Sequence, residues 1–264
     1  MPTATAPGGD IFYETSGGGA PVVLLLPQSA GPVGVGPFIE ALAQSCAAIR
    51  YDQRGTGMSP PPGDPTAVAM ADRAAEVAEL LDALGHPRAS LFCHSTGCGI
   101  GLAFAAAYPD RLDRLVLTSP WEYGDAHLTG MQNLRIAAAK ALRPRDYAHF
   151  NASLLFPPEY RRANQAGFDK LIADAPPQDA EQIASRLAAI LAFDSRPLTP
   201  KISQPTLVVT GADDQLMPAW FGQDIADRMP NARHVPLDGG GHMLPETRTA
   251  DVLAAALPFL NGEG

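Results

Sequence analysis

Cysteine is scarce in this 264-residue chain, which has only Cys46, Cys93 and Cys98. An odd, sparse set argues against a disulfide scaffold and for a reducing compartment. The four residues between Cys93 and Cys98 match no standard zinc spacing, and no histidine pair at ligand spacing accompanies them. Both read as small packing residues, and no metal is expected. Positive charge is also short: 19 Lys and Arg against 28 Asp and Glu leave a net charge of −9. Nucleic acid is therefore excluded as a partner, because phosphate contacts need clustered cations. No apolar run approaches the ~20 residues of a membrane span. The first ten residues lack the basic and apolar stretches of a secretory signal. A cytoplasmic, soluble chain with no membrane partner is the expectation. Hydrophobic residues at 46% and charged residues at 18% are ordinary for a globular protein, and the length fits one large domain with an inserted lobe.

What is present is an alternation of strands and helices. Ile11 to Thr15, Pro21 to Leu26 and Ala47 to Tyr51 read as strands, with a helix over Pro37 to Gln44. The run Val22 to Leu26 has no polar alternation, as expected for a strand buried on both faces. Asp64 and Pro65 suggest a helix start, with Val68, Ala71, Ala75, Ala78, Leu81 and Leu84 on one face down to Gly85. A strand over Leu112 to Thr118 follows the next helix. Between Trp121 and Pro200 the rhythm breaks into helical patterns alone: Leu134 to Leu142, Tyr160 to Ala173 and Ala180 to Phe193. Alternation then resumes with strands Thr206 to Thr210 and Arg233 to Leu237, and helices Ala219 to Met229 and Thr247 to Leu260. A mostly parallel sheet with helices on both faces follows from this order. The expected division is a core of residues 1–120 and 201–264 with a helical cap inserted at 121–200.

Cys93-His-Ser-Thr-Gly-Cys-Gly99 follows the apolar run Ala89 to Phe92 and precedes a small-residue stretch. Strand, turn and helix with serine at the turn describe a nucleophile elbow, although Cys93 stands where glycine is usual. Later come Gly211-Ala-Asp-Asp-Gln-Leu-Met-Pro218 and Gly239-Gly-Gly-His242, an acid and a histidine in the order Ser, Asp, His. Together these segments resemble the α/β-hydrolase fold family over about Ile11 to Leu260. Tyr51-Asp-Gln-Arg-Gly-Thr-Gly57 is similar to the equivalent loop of proline iminopeptidases and of aminoacrylate or carbamate hydrolases of pyrimidine-ring breakdown. Trp121 after its strand, and Leu154-Leu-Phe-Pro-Pro-Glu-Tyr160, look more like the pyrimidine-breakdown group and enol-lactonases.

The resemblance implies Ser95 as nucleophile, His242 as its base and Asp214 as the acid that orients the imidazole. Asp213 is expected to point away or cap a helix, and Glu122 is an alternative acid. Among the other histidines, His94 is a structural neighbour, while His86, His127, His149 and His234 lie by strands or in the lobe. The oxyanion hole falls to the backbone N–H groups of Thr96 and Ser29. Pro27-Gln28 replaces the usual His-Gly, which makes Gln28, with Trp121, a candidate substrate contact. Asp52 and Arg54 read as buttresses of the turn at Gly55 and Gly57. No cofactor is implied.

These residues describe a serine hydrolase cleaving a small ester, lactone, amide or carbamate through an acyl-enzyme, and the triad does not choose among those bonds. An aminopeptidase resembling the iminopeptidases would need an acidic lobe residue, Glu122 or Glu159, facing the pocket. A ligand-sensing fold with vestigial turnover is the non-enzyme alternative. The partner implied is a small molecule, with a homodimer left open. Residues 121–200 hold nine basic and nine acidic residues, so the rest of the chain carries the whole −9. Most of these charges should solvate helix faces, yet a neutral lobe over the elbow would favour short carboxylate-bearing substrates over long neutral esters.

Overall fold

The computed structural model describes residues 2–26, 31–62 and 69–263. Eight strands form one sheet: β1 (Thr3–Ala4), β2 (Ile11–Ser16), β3 (Pro21–Leu25), β4 (Ala47–Tyr51), β5 (Ala89–His94), β6 (Leu112–Thr118), β7 (Thr206–Gly211) and β8 (Ala232–Leu237). Their spatial order is β1-β2-β4-β3-β5-β6-β7-β8. The pairs β1–β2 and β2–β4 are antiparallel, and every later pair is parallel. The two-residue β1 is too short to leave a sequence pattern.

Uninterrupted apolar strands are explained by cover on both sides. Val22, Leu24, Phe92, Val116, Leu207 and Val209 pack towards α1 (Gly36–Leu42) and towards a helix at the chain's end. Their alternates Val23, Leu25, Leu91, Leu115, Leu117 and Val208 pack the other way. That second side is covered by α2 (Met70–Ala83) and α3 (Thr96–Ala107). Each fully buried Leu, Val or Phe here contributes about 1.5–3 kcal/mol of hydrophobic stabilisation.

Five helices stand between β6 and β7: α4 (Ala126–Ala141), α5 (Pro144–Leu155), α6 (Pro158–Ala163), α7 (Gln165–Ala173) and α8 (Ala180–Ala192). The single helix expected over Tyr160 to Ala173 is two, broken at Asn164, whose side-chain amide donates to the Tyr160 carbonyl at 3.0 Å. The insertion packs on the α2–α3 side through Phe168, Leu187 and Ile190. After β7 comes α9 (Ala219–Arg228), and after β8 come a four-residue α10 (Leu244–Thr247) and α11 (Thr249–Leu260), the helix expected over Thr247 to Leu260.

The α2 helix departs from the expected register. Asp64, Pro65 and Val68 lie outside the described residues, and the helix starts at Met70, where Asp72 accepts from the Ala69 N–H at 3.1 Å. Its buried face is Met70, Ala74, Val77, Ala78 and Leu81, whereas Ala71 is exposed and Ala75 only half-buried. Glu76 is buried on that helix, which hides the apolar period. Asp52 and Arg54 do brace the β4 loop: Asp52 Oδ2 accepts from Met58 N at 2.8 Å. Arg54 Nη2 donates to the Gly9 carbonyl at 2.7 Å and to Glu79 at 2.6 Å.

Candidate active site

The carboxyl ends of parallel strands leave loops and helix N-termini around one crevice, the usual place for chemistry in such sheets. At the end of β5, Ser95 adopts φ 53° and ψ −121°, a backbone region that costs a non-glycine residue about 1–3 kcal/mol. Two hydrogen bonds hold it there: Ser95 N donates to the Thr118 carbonyl at 3.0 Å, and Cys98 N to the Ser95 carbonyl at 2.8 Å. Gly97 lets α3 approach the sheet, since a Cβ there would overlap the Leu25 carbonyl. A Cβ on Gly101 would strike Cys93 Sγ, so the missing atom on α3 makes room for cysteine in the elbow. All three thiols are free and buried, and burial pushes those of Cys93 and Cys98 well above the usual range.

The three expected residues converge. Ser95 Oγ lies 2.8 Å from His242 Nε2, and His242 Nδ1 lies 2.8 Å from Asp214 Oδ2. All three are buried. Asp214 sits in the turn after β7, where its Oδ1 accepts from Leu216 N at 2.9 Å and Met217 N at 2.8 Å. Those bonds orient the carboxylate, leaving Oδ2 for the imidazole. Asp213 neither points away nor caps a helix: its Oδ1 accepts from Gly241 N at 2.7 Å, bracing the loop one residue before His242. His242 N in turn donates to the Leu155 carbonyl at 3.0 Å, so the insertion also holds this loop. Glu122 is fully buried elsewhere, with Arg228 Nε 2.6 Å from its Oε1. Burial raises the Glu122 pKa, and Arg228 opposes the shift.

Beside His242, His94 Nδ1 is 2.8 Å from Thr118 Oγ1, and its ring centroid is 5.2 Å from that of His242. Burial, with the neighbouring His242, holds its pKa well below the ordinary histidine value. His94 is therefore the neutral neighbour and His242 the ring that reaches the serine.

Ser95, Thr96 and His242 open into a cavity of about 110 Å³. At roughly 10–15 Å³ per water, that is room for a small molecule rather than a long acyl chain. Thr96 is the first residue of α3, so its N–H has no acceptor within the helix. Gln28 and Ser29 lie outside the described residues. Trp121 is corrected: it is fully buried, absent from the cavity wall, and its Nε1 donates to the Ile190 carbonyl at 3.3 Å. Its indole fills the space above Gly99, where a Cβ would overlap it, and meets Phe193 edge-on. The expected substrate contact instead joins sheet and insertion.

Sequence reasoning gave no role to Gln53 and Thr56, which reach the cavity from the loop after β4. Their place after a parallel strand was the available signal. The described lining also includes Arg73, Arg135 and Arg186, and no aspartate or glutamate. Arg73 is neutralised, its Nη1 donating to Glu76 at 3.1 Å and to the Arg54 carbonyl at 2.9 Å. Burial raises the Glu76 pKa, and the two arginines counter it. Glu159 is exposed, so neither it nor Glu122 faces the cavity as an amine-binding acid would. Among the described residues, no group of three or more His, Cys, Asp or Glu is arranged to hold a metal ion. No described helix is long and apolar enough to cross a membrane.

Residues 21–249 match the sequence profile of the alpha/beta hydrolase fold family. A protein of a Caulobacter species named "Putative carbamate hydrolase RutD" is 34% identical over 263 residues, covering 96% of each chain. The protein of that name from Azorhizobium caulinodans is 31% identical, over 100% of this chain and 99% of its own. Among solved structures, an enol-lactonase from Burkholderia xenovorans superposes with a TM-score of 0.81 at 26% identity, covering 98% of this chain and all of its own. A thermophilic esterase from Thermogutta terrifontis, solved with malate bound, gives 0.81 at 25% identity over 99% and 98% of the two chains.

Proposed function

The chain belongs to the α/β-hydrolase fold family and is a hydrolase, and from that premise we propose that it cleaves a small carbonyl substrate through an acyl-enzyme on Ser95. The observation that carries this is the buried relay of two 2.8 Å contacts, Ser95 to His242 to Asp214, opening into a cavity. The carbamate-hydrolase name of relatives that match nearly the whole chain, and the enol-lactonase likeness, favour a small carbamate or lactone over a long-chain ester.

In this mechanism His242 Nε2 takes the Ser95 proton as Oγ attacks the carbonyl carbon. The electron pair of the C=O moves onto oxygen, and Thr96 N–H stabilises the oxyanion. Asp214 keeps the Nδ1 proton facing itself and stabilises the imidazolium. Collapse expels the leaving group, an alcohol, enol or amine, which takes the proton from His242. Water then gives a proton to His242 and its oxygen to the acyl carbon, and Ser95 regains its proton as the acid departs. The second oxyanion donor, assigned to Ser29, belongs to this proposal, as do the cap role of residues 121–200 and a cytoplasmic setting.

Fluorophosphonate labelling tests the nucleophile, and a screen of p-nitrophenyl esters, lactones and carbamates tests the bond class. Ser95 should be the modified residue, and Ser95→Ala should lower kcat on the order of a million-fold while leaving the thermal transition in place. Unlabelled Ser95, or turnover by Ser95→Ala within tenfold of wild type, rejects the reading and leaves a binding role for the fold.

A further inference from the structure

The catalytic cavity shares part of its wall with a second space. Met70, the first residue of α2, and Ala189 on α8 line the cavity beside Ser95. The same two residues line an apolar groove of about 740 Å³, against about 110 Å³ for the cavity itself. Their side chains therefore stand between the two spaces. The groove lies where the start of α2, the end of α3 and α8 meet, with Ala71, Ala106, Ala107, Ala188 and Ala192 in its wall. Of its twelve described lining residues eight are alanines and none is charged, so it suits an alkyl chain and offers an ion no partner.

Of the two shared residues only Met70 has the length to fill the gap, since alanine carries a single methyl group. Met70 is buried, and its sulfur sits over the elbow helix: a Cβ on Gly99 would come within 3.2 Å of Met70 Sδ and would overlap Trp121. The bond from Ala69 N to Asp72 fixes the first turn of α2, from which Met70 projects. An unbranched thioether fills an irregular gap of this kind well. We infer that Met70 is a specificity-determining partition, which ends the catalytic cavity short of the groove and so limits the substrate to short chains. The inference rests on the serine-hydrolase reading for the reaction, but the separation of the two spaces is a binding property. Truncating this one side chain joins them and admits alkyl chains that the wild type refuses.

The test compares chain length in p-nitrophenyl esters from acetate to octanoate and in alkyl acetates from ethyl to octyl. Wild type should favour the short members of both series. Met70→Ala should raise the long-to-short ratio of kcat/KM in at least one series, by up to about fourfold for each methylene that enters the groove. The series that responds identifies the end of the substrate that lies against Met70. Met70→Val should give a smaller rise, and it decides the question if Met70→Ala does not fold. Ala188 is exposed and lines the groove but not the cavity, so Ala188→Phe added to Met70→Ala should refill the groove and bring the ratio back. The ratio is the readout because a general packing loss would lower all substrates alike. Independently of turnover, octanamide should raise the Tm of Ser95→Ala combined with Met70→Ala, and not that of Ser95→Ala alone. If Ser95 labels and turns over but both truncations keep the wild-type ratio, or Ala188→Phe leaves the gain intact, the partition is wrong and the hydrolase reading stands. If Ser95 fails to label while octanamide stabilises only the chain with truncated Met70, the hydrolase reading falls and the partition stands. No octanamide effect on the combined variant overturns the partition.

Discussion

The strand-end platform and the helical insertion build the cavity by different means. On the platform, main-chain hydrogen bonds hold Ser95 and Asp214, while His242 combines a side-chain bond with a main-chain bond from the insertion. Ser95 is held by Thr118, Asp214 by Leu216 and Met217, and His242 by its bond to Asp214 and by Leu155. The insertion instead reaches the cavity with side chains, Arg135, Arg186, Leu187 and Ile190 among them. Main-chain geometry thus dominates on one side of the cavity and side-chain character on the other. A change in the platform should strike kcat, and a change in the insertion should strike selectivity.

The sharpest way to break this contrast lies in the two adjacent acids after β7. Asp214→Asn should lower kcat by about 10⁴, as loss of the orienting acid does in protease triads, by favouring the wrong imidazole tautomer. Asp213→Asn, which weakens only the bond to Gly241 N, should cost about fivefold, in line with about 1 kcal/mol for one hydrogen bond. Steady-state kinetics on one ester rank the pair. A reversed ranking, or a 10⁴ loss appearing only in Glu122→Gln, would mean that a different carboxylate orients the base.

A smaller effect is expected at the seam between the regions. Trp121→Ala should destabilise the fold by about 3–5 kcal/mol, since a fully buried indole is lost. Calorimetric or urea unfolding measures this. KM for one ester should stay fixed in whatever fraction remains folded, because Trp121 does not touch the cavity; a changed KM would return Trp121 to the substrate-binding set.

The mildest test is pH. His94 has its pKa depressed in the fold, so between that value and about 6.5 the unfolded chain binds a proton that the folded chain refuses. Stability should therefore be level above pH 6.5 and fall below it, by at most about 1.4 kcal/mol per pH unit from this residue. His234, also depressed by burial, adds a slope of the same sign. Thermal melts of His94→Gln should show a shallower acid slope than wild type. An unchanged slope would mean that His94 does not carry the acid sensitivity.

The platform was the legible part, because turns leave signatures. Serine between a buried strand and a small-residue stretch, aspartate four residues before Pro218, and histidine after three glycines each mark a strand end, and all three residues meet. The insertion was less legible. Which of nine basic residues turns inward depends on how α4 and α8 rotate against each other, and helix faces with scattered apolar residues do not fix that rotation. The α2 register failed for a related reason: alanines flank the true face, and Glu76 is buried by its pairing with Arg73 beneath Arg54. Trp121 misled because burial and substrate contact draw on the same residue type.

One peptide bond of the insertion has a consequence for re-engineering. At the end of α5 the Leu155 carbonyl accepts from His242 N, and on α6 Tyr160 donates its hydroxyl to Glu246 at 3.0 Å. Glu246 also accepts from Gly31 N at 2.6 Å, on the loop that follows β3. The lobe is therefore not an interchangeable attachment. A chimera that swapped all of residues 121–200 for a foreign segment would replace part of the cavity wall and remove the bond that holds the His242 loop in one step. Grafts that exchange α4 and α8 but retain residues 154–160 would change the cavity wall while leaving the His242 loop anchored.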